Sequence, residues 1–281
     1  RVINQCLQSA KVELRDIDLI AVTMGPGLIG SLLVGVNAAK GISYGLDIPL
    51  IGVNHLEGHL LAIFLQEQIK FPFISLVVSG GHTDLYRVDN FGSYKILGRT
   101  RDDAAGESFD KVAKMLGHKY PGGPIIEKIA KEGNKDAHKF PRAYLEKDSL
   151  DFSFSGVKTS VKTFINKKQK NNIPGLSDQD IAAGFQEAVV EVLSKKIIMA
   201  CQREGLSRVV VTGGVAANGA LRRAVALECN SAGYESWFPD PIYCTDNAAM
   251  IACAGFQKYN AFPNSKADLL NLDATANLSL A

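Results

Sequence analysis

The sequence predicts an α/β protein, and three observations carry that prediction. The run "IDLIAVTM" (residues 17–24) reads as a buried strand. It passes through the glycine-rich turn "GPGLIG" into a helix of small residues, roughly Ser31 to Leu46, and then a second strand, "PLIGVN". Strand, turn, helix and strand make a βαβ unit, which favours a parallel sheet. Two more β-branched strands run into glycine pairs, "VVSGGHT" and "VVTGGVAAN", and the second opens a further helix. At 281 residues there is room for one large domain or two modest ones.

In chain order, "RVINQCLQSAKVEL" opens inside an amphipathic helical pattern, with no initiator Met and no basic-apolar-small leader. That is the expectation for a fragment, or for a chain whose beginning is absent. After the βαβ unit comes a helix carrying "VNHLEGHLLA" (53–62), ending near "EQIKFP". "FPFISLVV" and "HTDLYRV", joined through Gly80 and Gly81, read as a hairpin, and "SYKILGRT" adds a third strand. The stretch from about Asp102 to Gln202 is mainly helical, interrupted by loops at "HKYPGGP" and "LDFSFSGVKT". "RVVVTGGVAANGALRRAVALEC" returns to strand, turn and helix, and "TDNAAMIACAGFQKY" is a last helix starting near Thr245 or Asp246. The expected division is therefore 1–69, an α/β lobe with the histidine helix, and 70–281, an α/β lobe with a helical insertion at 102–202.

Composition narrows the function classes. Hydrophobic residues at 46% and charged residues at 21% describe a soluble globular protein, not a disordered one. No window supplies the roughly 18 uncharged apolar residues of a membrane span. Five cysteines, an odd number without a CxxC pair, point to free thiols in a reducing compartment, hence a cytoplasmic protein. A net charge of +2 does not announce a nucleic-acid binder. Local basic stretches, "KVAKMLGHKY", "KIAKEGNKDAHKFPR" and "INKKQKNN", are either solvated faces or contributors to one.

"GPGLIG" formally satisfies GxGxxG with Gly25, Gly27 and Gly30. A dinucleotide fold also wants an acid at the end of the following strand, and Asp47 precedes that strand, so the dinucleotide reading is disfavoured. The two later glycine pairs, together with "YPGGP", let backbone approach a ligand closely and favour a nucleotide or phosphate cleft. Asn218 either bonds a base or ribose hydroxyl or caps the helix after it. "DDAAGESFDKVAKMLG" gathers Asp102, Asp103, Glu107 and Asp110, which serve helix capping or, for one such as Asp110, ligand hydroxyls.

His55 and His59 stand four apart, on one face of a helix, where two imidazoles can share a metal. In the zinc-protease order HExxH the Glu follows the first His directly. Here Glu57 lies two residues from each His, about 200° round the helix, and cannot serve a water held by the pair. A catalytic metal usually takes a third protein ligand. Asp246, at a helix start, and the softer Cys244 are both candidates.

Taken together, "GPGLIGSLLVG", "NHLEGHLLA", "LVVSGGHTDL", "DDAAGESFDKVAKMLG", "YPGGP", "DFSFSGVKT", "TGGVAAN" and "CTDNAAMIA" resemble, in order, the TsaD family of tRNA N6-adenosine threonylcarbamoyltransferases, formerly described as glycoproteases. The form "HLEGH" is similar to the bacterial branch. The resemblance implies an actin/Hsp70-like (ASKHA) two-lobed α/β fold with central mixed sheets. It implies one divalent metal, Fe2+ or Zn2+, on His55, His59 and Asp246, and threonylcarbamoyl-AMP, or ATP or AMP, in the cleft. Val77, Val78, Ser79, Gly80 and Gly81 match the phosphate and acyl part of the site, and Asp110, Gly123, Glu127 and Asn218 the nucleoside part. Glu127 departs from the Asp of many members. No general base is evident, His82 being the nearest candidate. Implied partners are tRNA, a paralogous TsaB-like subunit, a TsaE-like ATPase and a TsaC-like synthase supplying the donor. The family's opening strands with their "GIETSCDET"-like motif have no counterpart here, and a truncated chain would be of low stability and little activity. Competing classes are a metallopeptidase, an ASKHA-type small-molecule kinase or ATPase, and a non-catalytic scaffold.

Overall fold

Two sheets organise the chain, one in each of two units: Arg1–Leu65 with Asn247–Ala281, and Gln66–Asp246. The computed structural model describes residues 1–146, 148–171, 176–261 and 271–280. The division differs from the expected one in assigning Asn247–Ala281 to the first unit.

The first unit contains α1 (Val2–Ala10), β1 (Ile20–Gly25), α2 (Ile29–Leu46), β2 (Leu50–Asn54) and α3 (His55–Leu61). β1 and β2 pair in parallel, from Ile20 opposite Leu50 to Thr23 opposite Val53, as a βαβ unit requires. Along α2 the buried residues Leu32, Val36, Ala39 and Ser43 recur every three or four positions. That spacing makes one face, and it packs with Leu50 and Leu272. Leu272 belongs to a returning segment whose Thr275 N–H donates to the Met24 carbonyl at 2.8 Å. The same segment takes the Gly27 N–H of "GPGLIG" on the Ala276 carbonyl at 3.1 Å, so this turn is tied to protein. Asp47 ends α2 in the left-handed region, one 18-residue helix away from that turn, about 27 Å.

The second unit runs β3 (Phe73–Val78), β4 (Thr83–Asn90), β5 (Ser93–Arg99), α4 (Ala105–Met115), α5 (Gly122–Ala130), α6 (Ser155–Asn171), α7 (Asp178–Glu204), β6 (Arg208–Thr212), α8 (Gly219–Ser231), β7 (Glu235–Trp237) and α9 (Pro241–Cys244). The expected hairpin and third strand form β3, β4 and β5, antiparallel in sequence order. β6 and β7 join the other side of β3 in parallel, giving a mixed sheet of order β5-β4-β3-β6-β7. Ile74, Leu76, Val78, Val209 and Val211 share a core with Phe109, Phe185, Val189 and Leu221 from the helices. α7 is the long member, started by a Ser177–Asp180 capping box and stopped by Gly205 at φ 65°.

The last helix, α10 (Ala248–Ala261), belongs to the first unit and packs on α3 and β1. Of the three basic stretches, "INKKQKNN" falls at the end of α6, and its Asn172 lies outside the described residues. Among the described residues no helix is long and apolar enough to cross a membrane.

Candidate functional site

The histidine helix follows from its neighbours. Asn54 ends β2 and caps α3, its Oδ1 accepting the Leu56 N–H at 2.9 Å. His55 and His59 follow one helical turn apart, their ring centroids 4.9 Å from each other and edge-on. His59 is buried, His55 half-buried. Gly58 separates them from α10: a Cβ there would meet Ile251 Cδ1 at 2.7 Å and Met250 Cγ at 3.3 Å. The chain entering α10 therefore passes beside the histidine helix. Asn247 caps α10, its Oδ1 accepting the Met250 N–H at 2.8 Å. Asp246 is the residue before it, exposed, and the last of the second unit. α3 is a regular α-helix, so Glu57, buried at 6% exposure, points away from the histidine face as the spacing predicts. Cys244, the rival ligand, is fully buried. Burial pushes its thiol up, while the Arg222 guanidinium, which donates to Sγ at 3.3 Å, acts in the opposite sense.

Within the second unit lies a cavity of about 250 Å³. Five of the sequence candidates line it: Gly80, Asp110, Gly123, Glu127 and Asn218. Their polar atoms are placed by two helix starts. Asp110 Oδ1 accepts the Gly122 N–H at 2.6 Å, holding the first turn of α5. Asn218 Oδ1 accepts the N–H groups of Ala220 and Leu221 at 2.9 and 3.0 Å, and its Nδ2 donates to Gln186 Oε1 at 2.8 Å. Glu127 Oε1 accepts the Gly219 N–H at 3.0 Å. Both helix N-termini are thus already met by carboxylates, which leaves little positive potential there for an anion.

The opposite sense holds one turn back along α4. Gly106, in its first turn, packs so closely on Ser79 and Gly80 that a Cβ would meet Gly80 N at 2.8 Å. Asp110 follows four residues later, about 6 Å along the axis. The Gly80 end therefore sees the positive end of α4, and the Asp110–Glu127 end presents carboxylate oxygens. Around Gly80 and Gly123 a Cβ would meet nothing within 4 Å, so these glycines leave space open.

The other candidates of the first glycine run have different places. Val77 and Val78 are buried β3 residues. Ser79 Oγ accepts the N–H groups of Gly81 and His82 at 3.3 and 3.1 Å, and the Ser79 N–H donates to the His82 carbonyl, closing the hairpin. Only the Gly80 N–H of "SGG" lacks a protein acceptor among the described residues. Ser79, Gly81 and His82 do not line this cavity. Of the four clustered carboxylates, Asp102 takes the Phe154 and Ser155 N–H groups at the start of α6. Asp103 and Glu107 pair with Lys111 at 3.0 and 2.7 Å. Burial alone would raise the Asp103 carboxyl, but the hydrogen bonds from Lys158 and Lys111 outweigh it and hold the group below the usual carboxylate range.

Sequence reasoning missed Phe109, Tyr120, Gly214, Val215, Ala217 and Thr245 as lining residues. All fall within or beside motifs already singled out, but nothing local says that these segments meet. Arg222 was missed as well. From α8 its Nε donates to the Ala216 carbonyl at 2.7 Å, and its Nη2 to the Pro239 carbonyl and Cys244 Sγ. It stacks over Phe238 at 5.3 Å. One side chain thus ties the cavity wall at 214–217 to the segment that leads to Thr245 and Asp246.

The family model described as TsaD, tRNA N6-adenosine threonylcarbamoyltransferase, matches residues 1–253. A protein of that name from Clostridioides difficile is 51% identical over 280 residues, covering 99% of this chain and 82% of the relative. One from Thermodesulfovibrio yellowstonii is 54% identical over 282 residues, covering 99% and 83%. Among solved structures, full-length HypF in a phosphate- and nucleotide-bound form aligns with a TM-score of 0.66 at 14% identity, over 94% of this chain and 41% of HypF. Component A of (R)-2-hydroxyglutaryl-CoA dehydratase from Acidaminococcus fermentans aligns at 0.53 and 18% identity, over 93% and 83%. At such identities these two structures speak to the α/β fold alone.

Proposed function

The chain belongs to the tRNA N6-adenosine threonylcarbamoyltransferase family, and from that premise we propose that it transfers a threonylcarbamoyl group to N6 of the adenosine 3′ of the anticodon in tRNAs reading ANN codons. The near-full-length match carries this reading. The donor is threonylcarbamoyl-AMP, lying in the second unit's cavity. Its ribose hydroxyls face Asp110 and Glu127, whose second carboxylate oxygens accept no hydrogen bond from the described residues, and its phosphate faces Gly80 at the positive end of α4. The reverse placement would bring phosphate against two carboxylates, which Coulomb repulsion opposes. The lobes are of the actin/Hsp70-like type, and the protein acts on tRNA in the cytoplasm with a TsaB-like paralogue, a TsaE-like ATPase and a TsaC-like donor synthase.

In the transfer, the adenosine N6 lone pair forms a C–N bond to the carbamoyl carbon. The bond from that carbon to the phosphate oxygen breaks, AMP leaves with the electron pair, and one N6 proton is released. Negative charge gathers on the carbonyl and phosphate oxygens, where the Gly80 N–H is placed to donate.

His55, His59 and Asp246 offer two imidazole nitrogens and a carboxylate oxygen, a donor set that suits Fe2+ or Zn2+ and leaves positions open. The shared face of the histidines and the seating of α10 on Gly58 through Met250, four residues after Asp246, support the assignment. A metal held there would supply Lewis acidity toward a phosphate or carbonyl oxygen.

The test is metal analysis together with a tRNA modification assay using purified threonylcarbamoyl-AMP. His55→Ala and Asp246→Ala are expected to lose metal and modification while retaining the folded state. Full activity in both variants would overturn the ligand assignment, and absence of transfer by metal-loaded wild type would overturn the function. Glu57→Gln with unchanged transfer is the further expectation that sets this reading apart from a peptidase.

A further inference from the structure

The turn between α4 and α5 presents Tyr120, 84% exposed, at the edge of the cavity it helps to line. An aromatic ring so exposed contributes little to folding, so its position calls for another explanation. The turn is held firmly. Gly122 N–H is bonded to Asp110, and Gly122 packs so closely that a Cβ would meet Asp110 Cα at 2.6 Å. The ring is therefore offered to solvent by a braced backbone.

Its surroundings are basic on the outside. Lys119 precedes it and is exposed. Pro124 and Lys128, both exposed and one turn apart on α5, continue the same side. Exposed Arg223 of α8 has Nη1 near Gly219, the neighbour of the lining residue Asn218, where a Cβ would meet it at 3.2 Å. Lys119, Lys128 and Arg223 have no carboxylate partner among the described residues. The nearby acids Asp110 and Glu127 are engaged inward by Gly122 and Gly219. An exposed aromatic with unpaired cations around it is the pattern that takes unstacked nucleotides, the ring receiving a base and the cations the backbone.

Resting on the transferase reading, we propose that Tyr120, with Lys119, Lys128 and Arg223, forms the surface that holds the tRNA nucleotides flanking the target adenosine, while the donor occupies the interior. A base on the Tyr120 ring would leave its neighbour free to approach the donor.

The experiment measures binding of an unmodified tRNA transcript and, separately, of AMP to the metal-loaded protein and its variants. For Tyr120→Ala, tRNA binding is expected to weaken about 5- to 100-fold, with AMP binding within twofold of wild type and thermal stability unchanged. Tyr120→Phe should restore tRNA binding, since stacking needs the ring and not the hydroxyl. Lys119→Ala should lower the salt dependence of tRNA binding by somewhat less than one released counterion. Loss of AMP binding with tRNA binding intact would show that the tyrosine serves the donor and overturn the proposal, as would no change in either. If tRNA binding responds as expected but wild type transfers nothing from threonylcarbamoyl-AMP, the surface stands and the transferase reading fails.

Discussion

The two glycine pairs, "VVSGGHT" and "VVTGGVAAN", are nearly the same words at the ends of neighbouring parallel strands, and they are used differently. In the first, β3 turns back on itself as a hairpin, and Ser79 Oγ takes the N–H groups of Gly81 and His82. That turn is closed by its own side chain. In the second, β6 runs on into a 3-10 turn and α8, with Gly213 at φ 93°, ψ 165°, a region essentially reserved for glycine. A Cβ on Gly213 would run into the Val78 carbonyl oxygen of the first pair's strand. The second turn is held from outside, by Arg222 on the Ala216 carbonyl. A motif's wording says that backbone must come close to something; the direction of the next element decides to what.

That contrast predicts a graded series. Gly213→Ala should be the most damaging, destabilising by about 3 kcal/mol or more through backbone strain plus the clash with β3. Urea denaturation would read it, and a loss below about 1 kcal/mol would mean the second turn tolerates another backbone. Arg222→Ala should cost about 2–3 kcal/mol, because the carbonyls of Ala216 and Pro239 lose a charged donor. It should also raise the KM for threonylcarbamoyl-AMP and lower metal content, whereas Arg222→Lys should recover stability better than metal binding. Equal recovery of both would reduce Arg222 to a structural brace.

Smaller effects belong to the first turn. Ser79→Ala should cost about 1 kcal/mol, since the N–H groups it served can turn to water at an exposed hairpin. Gly80→Ala should change stability by no more than about 0.5 kcal/mol, because nothing lies within 4 Å of the added methyl. It should nevertheless weaken AMP binding measurably by isothermal titration. Unchanged AMP affinity in Gly80→Ala would move the phosphate away from this glycine.

How much could be read in advance follows from how local each feature is. The βαβ order of β1, α2 and β2 and the β3–β4–β5 meander depend on adjacent segments, and each was legible in period and turn residues. The histidine pair was legible in the same way: His55 and His59 share a helix face because of spacing alone, and Glu57 is excluded from it for the same reason. The cavity was legible only as a list of suspects. Asp110, Glu127 and Asn218 all line it, yet Asp110 and Glu127 each spend an oxygen on the N-terminus of another helix, and Asn218 spends its own on the helix it begins. Of the two readings of Asn218, the helix cap is present, and the same side chain lines the cavity.

The main elements, the histidine face and the family were set by short-range periodicity or by motifs in order, while the stretch before Thr245 held a short strand and helix, β7 and α9, that no such signal marked. Long-range packing places β6 beside β3 and sets Gly213 against Val78. It alone returned residues 247–281 to the first unit and seated α10 on Gly58. Such choices are made by burial and backbone pairing between residues far apart in the chain, energies to which no single segment of sequence gives a period.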